Sequence, residues 1–371
     1  MGALDGIRVL DLSRVLAGPW ATQLLADLGA DVVKVEAPWG DDTRRWGPPF
    51  IGEDAAYFHS CNRGKRSIVL DLQEQSDTLF ALIQASDVIV ENFKVGTMES
   101  FGVSQEMLTG KILCRITGFG QTGPRAAEPG YDVALQAMSG IMSVTGPTDG
   151  EPAKVGVAWI DLLTGTMAGN AILAALFHRE RTGEGQTIDL SLFDVGLMAM
   201  VNQAQNWIAS GQDPERMGHA HPNIVPYQAF RASDDWFVLA CGNDDQYAKV
   251  CTATQCDGLY RTELQGNAGR LRHRTEIIST LSDHFSTKPV QHWLTVFAKV
   301  GVPCSPIHSV SQAFTDAQAA ARNALWEIDG NQSVASALRF MSVTPATPSL
   351  PSPELGAHTD EVLAEWLEDS A

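Results

Sequence analysis

The first 36 residues set the strongest limit on the fold. Residues 7–12 form a strand-like run, Gly18-Pro19 breaks it, residues 20–28 read as a helix closed by Gly29, and Asp-Val-Val-Lys-Val-Glu at 31–36 is a second strand-like run. Connections this short favour parallel strands joined by a right-handed crossover. The pattern continues with a strand at 67–72, a helix at 77–86 and strands at 87–91 and 112–117. Such alternation predicts an α/β fold with an open, Rossmann-like parallel sheet. Ligands on sheets of this kind bind at the carboxyl ends of the strands. Those ends carry residues 14–17, 36–38, 92–94 and 117–120, which are expected to line one crevice. The turn after the first strand is Ala17-Gly18-Pro19 and holds no Gly-x-Gly-x-x-Gly, so no nicotinamide or flavin site is read.

Organisation changes along the chain. Residues 1–210 read as the first part of a large domain, with a long helix at 162–180 rich in Gly and Ala, a strand at 187–192 and a helix at 194–210. Residues 211–226 are polar and rich in helix breakers, the pattern of a linker or lid. Residues 227–314 read as a smaller α+β domain, with a strand at 236–241, helices at 244–253, 274–285 and 290–300, and another strand starting at 301–304. Residues 315–371 read as a return strap, extended by Pro345, Pro348, Pro351 and Pro353, and a C-terminal helix at 359–367 that completes the large domain.

Of the 371 residues, 44% are hydrophobic and 19% charged, a balance that supports a substantial core, and the formal net charge is −18. That charge argues against non-specific binding to nucleic acid or anionic membrane, while leaving room for a local cation cluster that holds phosphates. No secretory signal is readable at the start, and apolar stretches such as 172–177 are too short to cross a bilayer. Cysteines 61, 114, 241, 251, 256 and 304 form no Cys-x-x-Cys pair, so buried free thiols in a reducing cytoplasm are expected and no metal site is.

The chemistry centres on Asp161. An apolar run at 155–160 ends at this carboxylate and the small-residue helix begins after it. A carboxylate at a helix N-terminus is favoured by free N–H groups and by the dipole, and is expected to stay ionised at neutral pH. Ionised and reachable, it can attack a thioester carbonyl and carry an acyl group. An Asp in this place can equally be a simple N-cap.

Separated motifs follow one another in order: Arg-Val-Leu-Ala-Gly-Pro at 14–19, Lys-Val-Glu-Ala-Pro-Trp-Gly-Asp-Asp-Thr-Arg at 34–44, Asn-Arg-Gly-Lys-Arg-Ser-Ile at 62–68, Val-Glu-Asn-Phe-Lys-Val-Gly at 90–96, Gly-Phe-Gly-Gln-Thr-Gly-Pro at 118–124, Pro-Gly-Tyr-Asp at 129–132, Asp161, and Thr-Gly-Glu-Gly-Gln at 182–186. In these motifs the chain resembles the class III coenzyme A transferases, the family of the formyl-CoA and carnitine CoA-transferases. Segments 221–227, 301–304 and 355–359 fit too and look closest to the subgroup that moves CoA between dicarboxylic acids. The resemblance implies that Asp161 is the catalytic aspartate, forming a mixed anhydride and then an aspartyl-CoA thioester in ping-pong order. It implies a CoA crevice lined by Val15, Leu16, Ala17, Ala37, Leu70, Asn92, Phe93, Lys94, Gly130 and Tyr131, and an interlocked homodimer. Coenzyme A would enter as acyl-CoA substrate, with no permanently bound cofactor and an organic acid as the second substrate. Backbone N–H groups following Asp161 are expected to steady the developing oxyanions.

Departures from the family pattern are visible. Ala37 and Ser100 stand where arginines are common, leaving Arg44, Arg45, Lys65, Arg66 or Arg125 to supply the charge. Gly218-His219-Ala220-His221 replaces the glycine-rich loop of the formyl-CoA enzyme, which argues against formate or oxalate and puts Gly218, His219 and His221 forward as acid-facing residues. An α-methylacyl-CoA racemase would share the fold, but it needs a second proton carrier, and the position that bears His in racemases is Tyr131, a poor base near neutral pH. A CoA-binding protein without turnover is the other alternative; the carboxylate at 161 argues against it.

Overall fold

A computed structural model describes residues 2–338 and 350–368, so Pro345 and Pro348 of the expected strap lie outside the described residues. Two units are present: Met1–Met142, Lys154–Gln212 and Ala317–Ala371 form the larger, and Ser143–Ala153 with Asp213–Asp316 the smaller. Residues 143–153, read above with the large domain, pack with the smaller unit: Ala153 donates its N–H to the Thr145 carbonyl and Gly218 to the Gly146 carbonyl.

The larger unit is built on six parallel strands: β1 (Arg8–Asp11), β2 (Asp31–Glu36), β3 (Lys65–Val69), β4 (Val88–Glu91), β5 (Ile112–Thr117) and β6 (Gln186–Ser191). Their order is β3-β2-β1-β4-β5-β6, so the chain reverses its direction of travel between β1 and β4. Both faces of the sheet are covered around its centre, which is why β1, β2, β4 and β5 carry apolar runs, whereas the edge strand β6 alternates and is largely exposed. Val9, Val32, Val88 and Ile112 pack on one face beneath α1 (Ala17–Asp27) and a long helix described below; Leu10, Val33, Ile89 and Leu113 pack on the other beneath α2 (Ser76–Ala85). The last helix also seals that second face, with Val362 and Trp366 buried in it.

Helix α3 (Asp132–Met138) precedes the long helix α4 (Trp159–Thr182). The sequence suggests that helix starts after Asp161; it starts at Trp159, so Asp161 lies inside its first turn. Small residues bring α4 close to α1: a Cβ on Gly165 would lie 2.4 Å from the Ala17 carbonyl oxygen. Helix α4 is also long and apolar enough to span a bilayer by length and composition, contrary to the shorter apolar stretches read above. Its Ile160, Thr164, Gly165, Ala168, Gly169, Ile172 and Ala175 are instead buried in the core. The helix read at 194–210 is two, α5 (Leu192–Ala199) and α6 (Val201–Ser210), because Val201, the first residue of the second, adopts φ 38°.

The smaller unit has an antiparallel sheet of β7 (Tyr227–Arg231), β8 (Trp236–Ala240) and β9 (Cys304–Pro306), with β8 central. Helices α7 (Asp244–Thr254), α8 (Arg274–Phe285) and α9 (Val290–Val300) pack around Phe230, Phe237, Phe285, Trp293 and Phe297. Back in the larger unit, β10 (Leu325–Ile328) and β11 (Asn331–Val334) form a hairpin that the sequence reading lacked, and α10 (Thr359–Glu368) ends the described chain.

Candidate active site

A cleft of about 370 Å³ opens at the carboxyl ends of β1, β4, β5 and β6, where the strand order reverses. That is the place an open α/β sheet offers a ligand. It is lined by Val15, Leu16, Ala17, Asn92, Phe93, Lys94, Gly130 and Tyr131 from the expected set, together with Asp161. Leu70 and Ala37 are not among its lining residues. Leu70 is 2% exposed in the core beneath α2, because its side chain continues the buried face of β3, and Ala37 is half-buried beside β2.

Each wall of the cleft has a local cause. After β1 the chain turns sharply, and the turn is tied on both sides. The Asn92 carboxamide accepts from the Arg14 N–H at 3.0 Å and donates to the Arg14 carbonyl at 2.7 Å, so this residue clamps backbone rather than presenting a free amide. After β4, Glu91 accepts the Phe93 N–H at 2.7 Å, and burial pushes its carboxyl up to about 7 despite the Arg115 guanidinium nearby. After β5, Gly118 and Gly130 meet backbone to backbone: a Cβ on Gly130 would stand 2.6 Å from the Gly118 Cα, so neither position accepts a side chain.

Asp161 is half-buried, and its surroundings correct two expectations. The helix is capped not by its own N-cap residue, Ala158, but by the carboxylate of Asp132 at the start of α3. Asp132 Oδ1 accepts from Ile160 N at 2.8 Å and from Asp161 N at 3.3 Å, while Gln136 Nε2 donates to Asp132 Oδ2 at 2.6 Å. The Leu162 N–H donates to the Ala158 carbonyl. The helix-start amides at 160–162 are therefore engaged, and the oxyanion role expected of the amides following Asp161 is not available from Leu162. Burial first, and the Asp132 carboxylate second, push the Asp161 carboxyl up to about 7 from an ordinary carboxylate value, in place of the fully ionised group expected at neutral pH. The helix dipole is outweighed because its terminal amides are already matched by Asp132.

The candidate cations sort by burial. Arg44 pairs with Glu36 at 2.6 Å and Asp54 at 2.5 Å, Lys65 with Asp11 at 3.0 Å, and Arg66 with Asp31 at 2.7 Å; the Lys65 side chain is 0% exposed. Buried charges must be paired, and these hold β2 and β3 to their neighbours. Arg45 pairs with Asp42 and Arg125 with Glu128 at the surface. Lys94 lines the cleft, is exposed, and has no ion-pair partner among the described residues. Arg14, which the sequence reading did not select, lines the cleft too and meets Asp42 at 3.1 Å.

Gly218, His219 and His221 belong to the smaller unit. The His219 ring lies on Trp236 and the His221 ring on Tyr227, with ring centroids 5.7 and 5.2 Å apart. The Asn223 N–H donates to His221 Nδ1, and partial burial together with Arg274 keeps that imidazole below its ordinary value, hence neutral at pH 7. Among the described residues no cluster of His, Cys, Asp or Glu has the arrangement of a metal site. All six cysteines are free; Cys61, Cys114, Cys241 and Cys251 are buried, while Cys256 and Cys304 are half-buried. The residue missed most plainly was Asp132. It sits in the Pro-Gly-Tyr-Asp motif, and an acid at the first position of a helix was the available signal.

Comparison with known proteins agrees with this architecture. The model of CoA-transferase family III matches residues 4–359. A succinate–glutarate CoA-transferase of Agrobacterium fabrum is 45% identical over 384 residues, covering 98% of this chain and 95% of that protein. A succinyl-CoA:glutarate CoA-transferase of Mus musculus is 40% identical, covering 99% of this chain and 87% of its own length. Among solved structures, a CAIB/BAIF family protein from Brucella suis superimposes with a TM-score of 0.88 at 43% identity, covering 98% of this chain and 99% of that one. The chain belongs to CoA-transferase family III and is a CoA-transferase, moving coenzyme A between an acyl-CoA and a carboxylate.

Proposed function

We propose that this enzyme moves CoA between two dicarboxylic acids, with Asp161 as the covalent carrier. The observation that carries the reading is the position of Asp161: it lines the strand-end cleft, and its carboxylate is costly to ionise there. A carboxylate raised to about 7 is more basic, and so more nucleophilic once ionised, than one at its ordinary value. Acylation also removes the charge that burial and Asp132 oppose. The same environment that penalises the free carboxylate therefore favours the neutral adduct.

The steps balance without any redox change. The Asp161 carboxylate attacks the donor thioester carbonyl, the C–S bond breaks, and CoA leaves as thiolate, giving an acyl-aspartyl anhydride. The thiolate then attacks the Asp161 carbonyl carbon, the anhydride C–O bond breaks, and the donor acid departs as carboxylate, leaving aspartyl-CoA. The acceptor carboxylate attacks that thioester and releases the thiolate, which returns to the acceptor acyl carbon and frees Asp161. Apolar Val15, Leu16 and Ala17 suit the pantetheine arm, and Lys94 suits phosphate charge. The dicarboxylate assignment follows the names of the similar Agrobacterium and mouse proteins, with succinyl-CoA and glutarate as the first pair to try.

We also propose the interlocked homodimer that the resemblance implies. Leu197, Met198, Val201, Trp207 and Ile208 on α5 and α6 are 46–70% exposed, apolar area of the kind a partner chain covers. Light scattering on the purified protein tests the mass. For the chemistry, Asp161→Asn is expected to keep CoA binding and lose nearly all turnover with succinyl-CoA and glutarate. Turnover retained in that variant would contradict the reading.

A further inference from the structure

We propose that Asp41 is a positioning residue that holds Val15 in a left-handed backbone conformation and so preforms one wall of the acyl-CoA cleft. The inference rests on the reading of that cleft given above. Val15 has φ 73°, a region that a β-branched residue avoids, and it lines the cleft. Such a conformation persists only where the surroundings over-determine it. Here they do so for three residues in succession. The Ser13 carbonyl accepts from Lys34 Nζ at 2.8 Å, the Arg14 N–H and carbonyl are clamped by Asn92, and the Val15 N–H donates to Asp41 Oδ2 at 3.2 Å.

Asp41 is itself fixed from below. Its carboxylate takes Lys34 Nζ at 2.9 Å, with both side chains 1% exposed, and accepts the Thr43 N–H and hydroxyl. Its own N–H donates to Glu36 Oε2. On the far side, the Val15 carbonyl meets the Cys61 thiol at 3.6 Å. The buried Lys34–Asp41 pair thus does more than neutralise itself. It anchors a charge-assisted hydrogen bond to the one amide whose release would let Val15 relax out of the wall.

The experiment compares wild type with Val15→Ala, Val15→Gly, Asp41→Asn and the Asp41→Asn/Val15→Gly double variant. It reads thermal midpoints, kcat and KM for succinyl-CoA, and CoA binding by calorimetry. At an ordinary position Gly is less stable than Ala, but at positive φ the order reverses. Val15→Gly is therefore expected to melt a few degrees above Val15→Ala. Asp41→Asn is expected to raise KM about tenfold, the scale of one weakened charge-assisted bond, with kcat within about twofold. Adding Val15→Gly to Asp41→Asn should return KM to within about twofold of Val15→Gly alone, because glycine needs no holding.

A Val15→Gly midpoint at or below that of Val15→Ala overturns the proposal without reference to any activity, even should Asp41→Asn fail to fold. So does a KM defect in Asp41→Asn that survives in the double variant, which would mark a purely structural role. If the midpoints behave as expected while wild type transfers no CoA from succinyl-CoA, the dicarboxylate reading fails and the positioning role stands.

Discussion

Asp132 Oδ1 accepts the backbone N–H of Asp161 at 3.3 Å, so one carboxylate caps the helix whose first turn carries the other. Two acids that serve different ends are thereby fixed close together. Asp132 satisfies the helix start, and its charge raises the cost of ionising Asp161. Gln136 holds Asp132 in turn and accepts the Val155 N–H, tying α3 to the segment leading into α4.

This coupling predicts a pH profile. Attack requires ionised Asp161, so kcat/KM should fall as pH drops through about 7. Asp132→Asn keeps an oxygen for the Ile160 N–H but removes the charge. The acidic limb should move down by about one pH unit, the remaining elevation being due to burial, which is the larger cause. A limb that does not move would place the titrating group elsewhere.

A stability effect of definite sign follows from the same group. The Asp161 carboxyl titrates higher in the folded chain than in the unfolded one, about 7 against 3.8. Its cost is absent below the unfolded value, grows as pH rises between the two, and is complete above the folded value. Asp161→Asn should therefore be more stable than wild type by about 2 to 4 kcal/mol at pH 8, with the gap closing towards pH 4. Thermal melts across that range check it, and a variant less stable than wild type at pH 8 would contradict it.

Lys94 gives a separable prediction. It stands exposed at the cleft without an ion-pair partner among the described residues. Lys94→Ala should raise KM for acyl-CoA by roughly tenfold at low salt, leave kcat within about twofold, and flatten the dependence of KM on ionic strength. Steady-state kinetics between low and high salt measure all three.

The fold was largely legible from apolar runs and breakers. Strands at 31–36 and 112–117 and helices at 274–285 and 290–300 coincide with β2, β5, α8 and α9, because their ends are marked by Gly, Pro or abrupt polarity changes. The break between α5 and α6 was hidden: it depends on Val201 adopting positive φ, which no residue type there announces. The β10–β11 hairpin was missed because five of its eight positions are exposed and none is fully buried. In the site, Asp161 and most of the cleft wall were readable from motif order. Lys34 and Arg44 pair with Asp41 and Glu36 through the turn that follows β2, which the strand pattern does not specify, and the partner of Lys65 was hidden because Asp11 on β1 lies far away in sequence. The charge state of Asp161 was misread for the same reason, its neighbour Asp132 being 29 positions away.

The most direct test is intact-mass spectrometry of the wild-type protein mixed with succinyl-CoA and quenched within the first turnovers, followed by peptide mapping. The expected result is an added mass equal to CoA thioester-linked at Asp161, discharged by glutarate or hydroxylamine and absent in Asp161→Asn. An enzyme that transfers CoA at full rate while residue 161 stays unmodified at every quench time, or that carries the adduct on another residue, would contradict it.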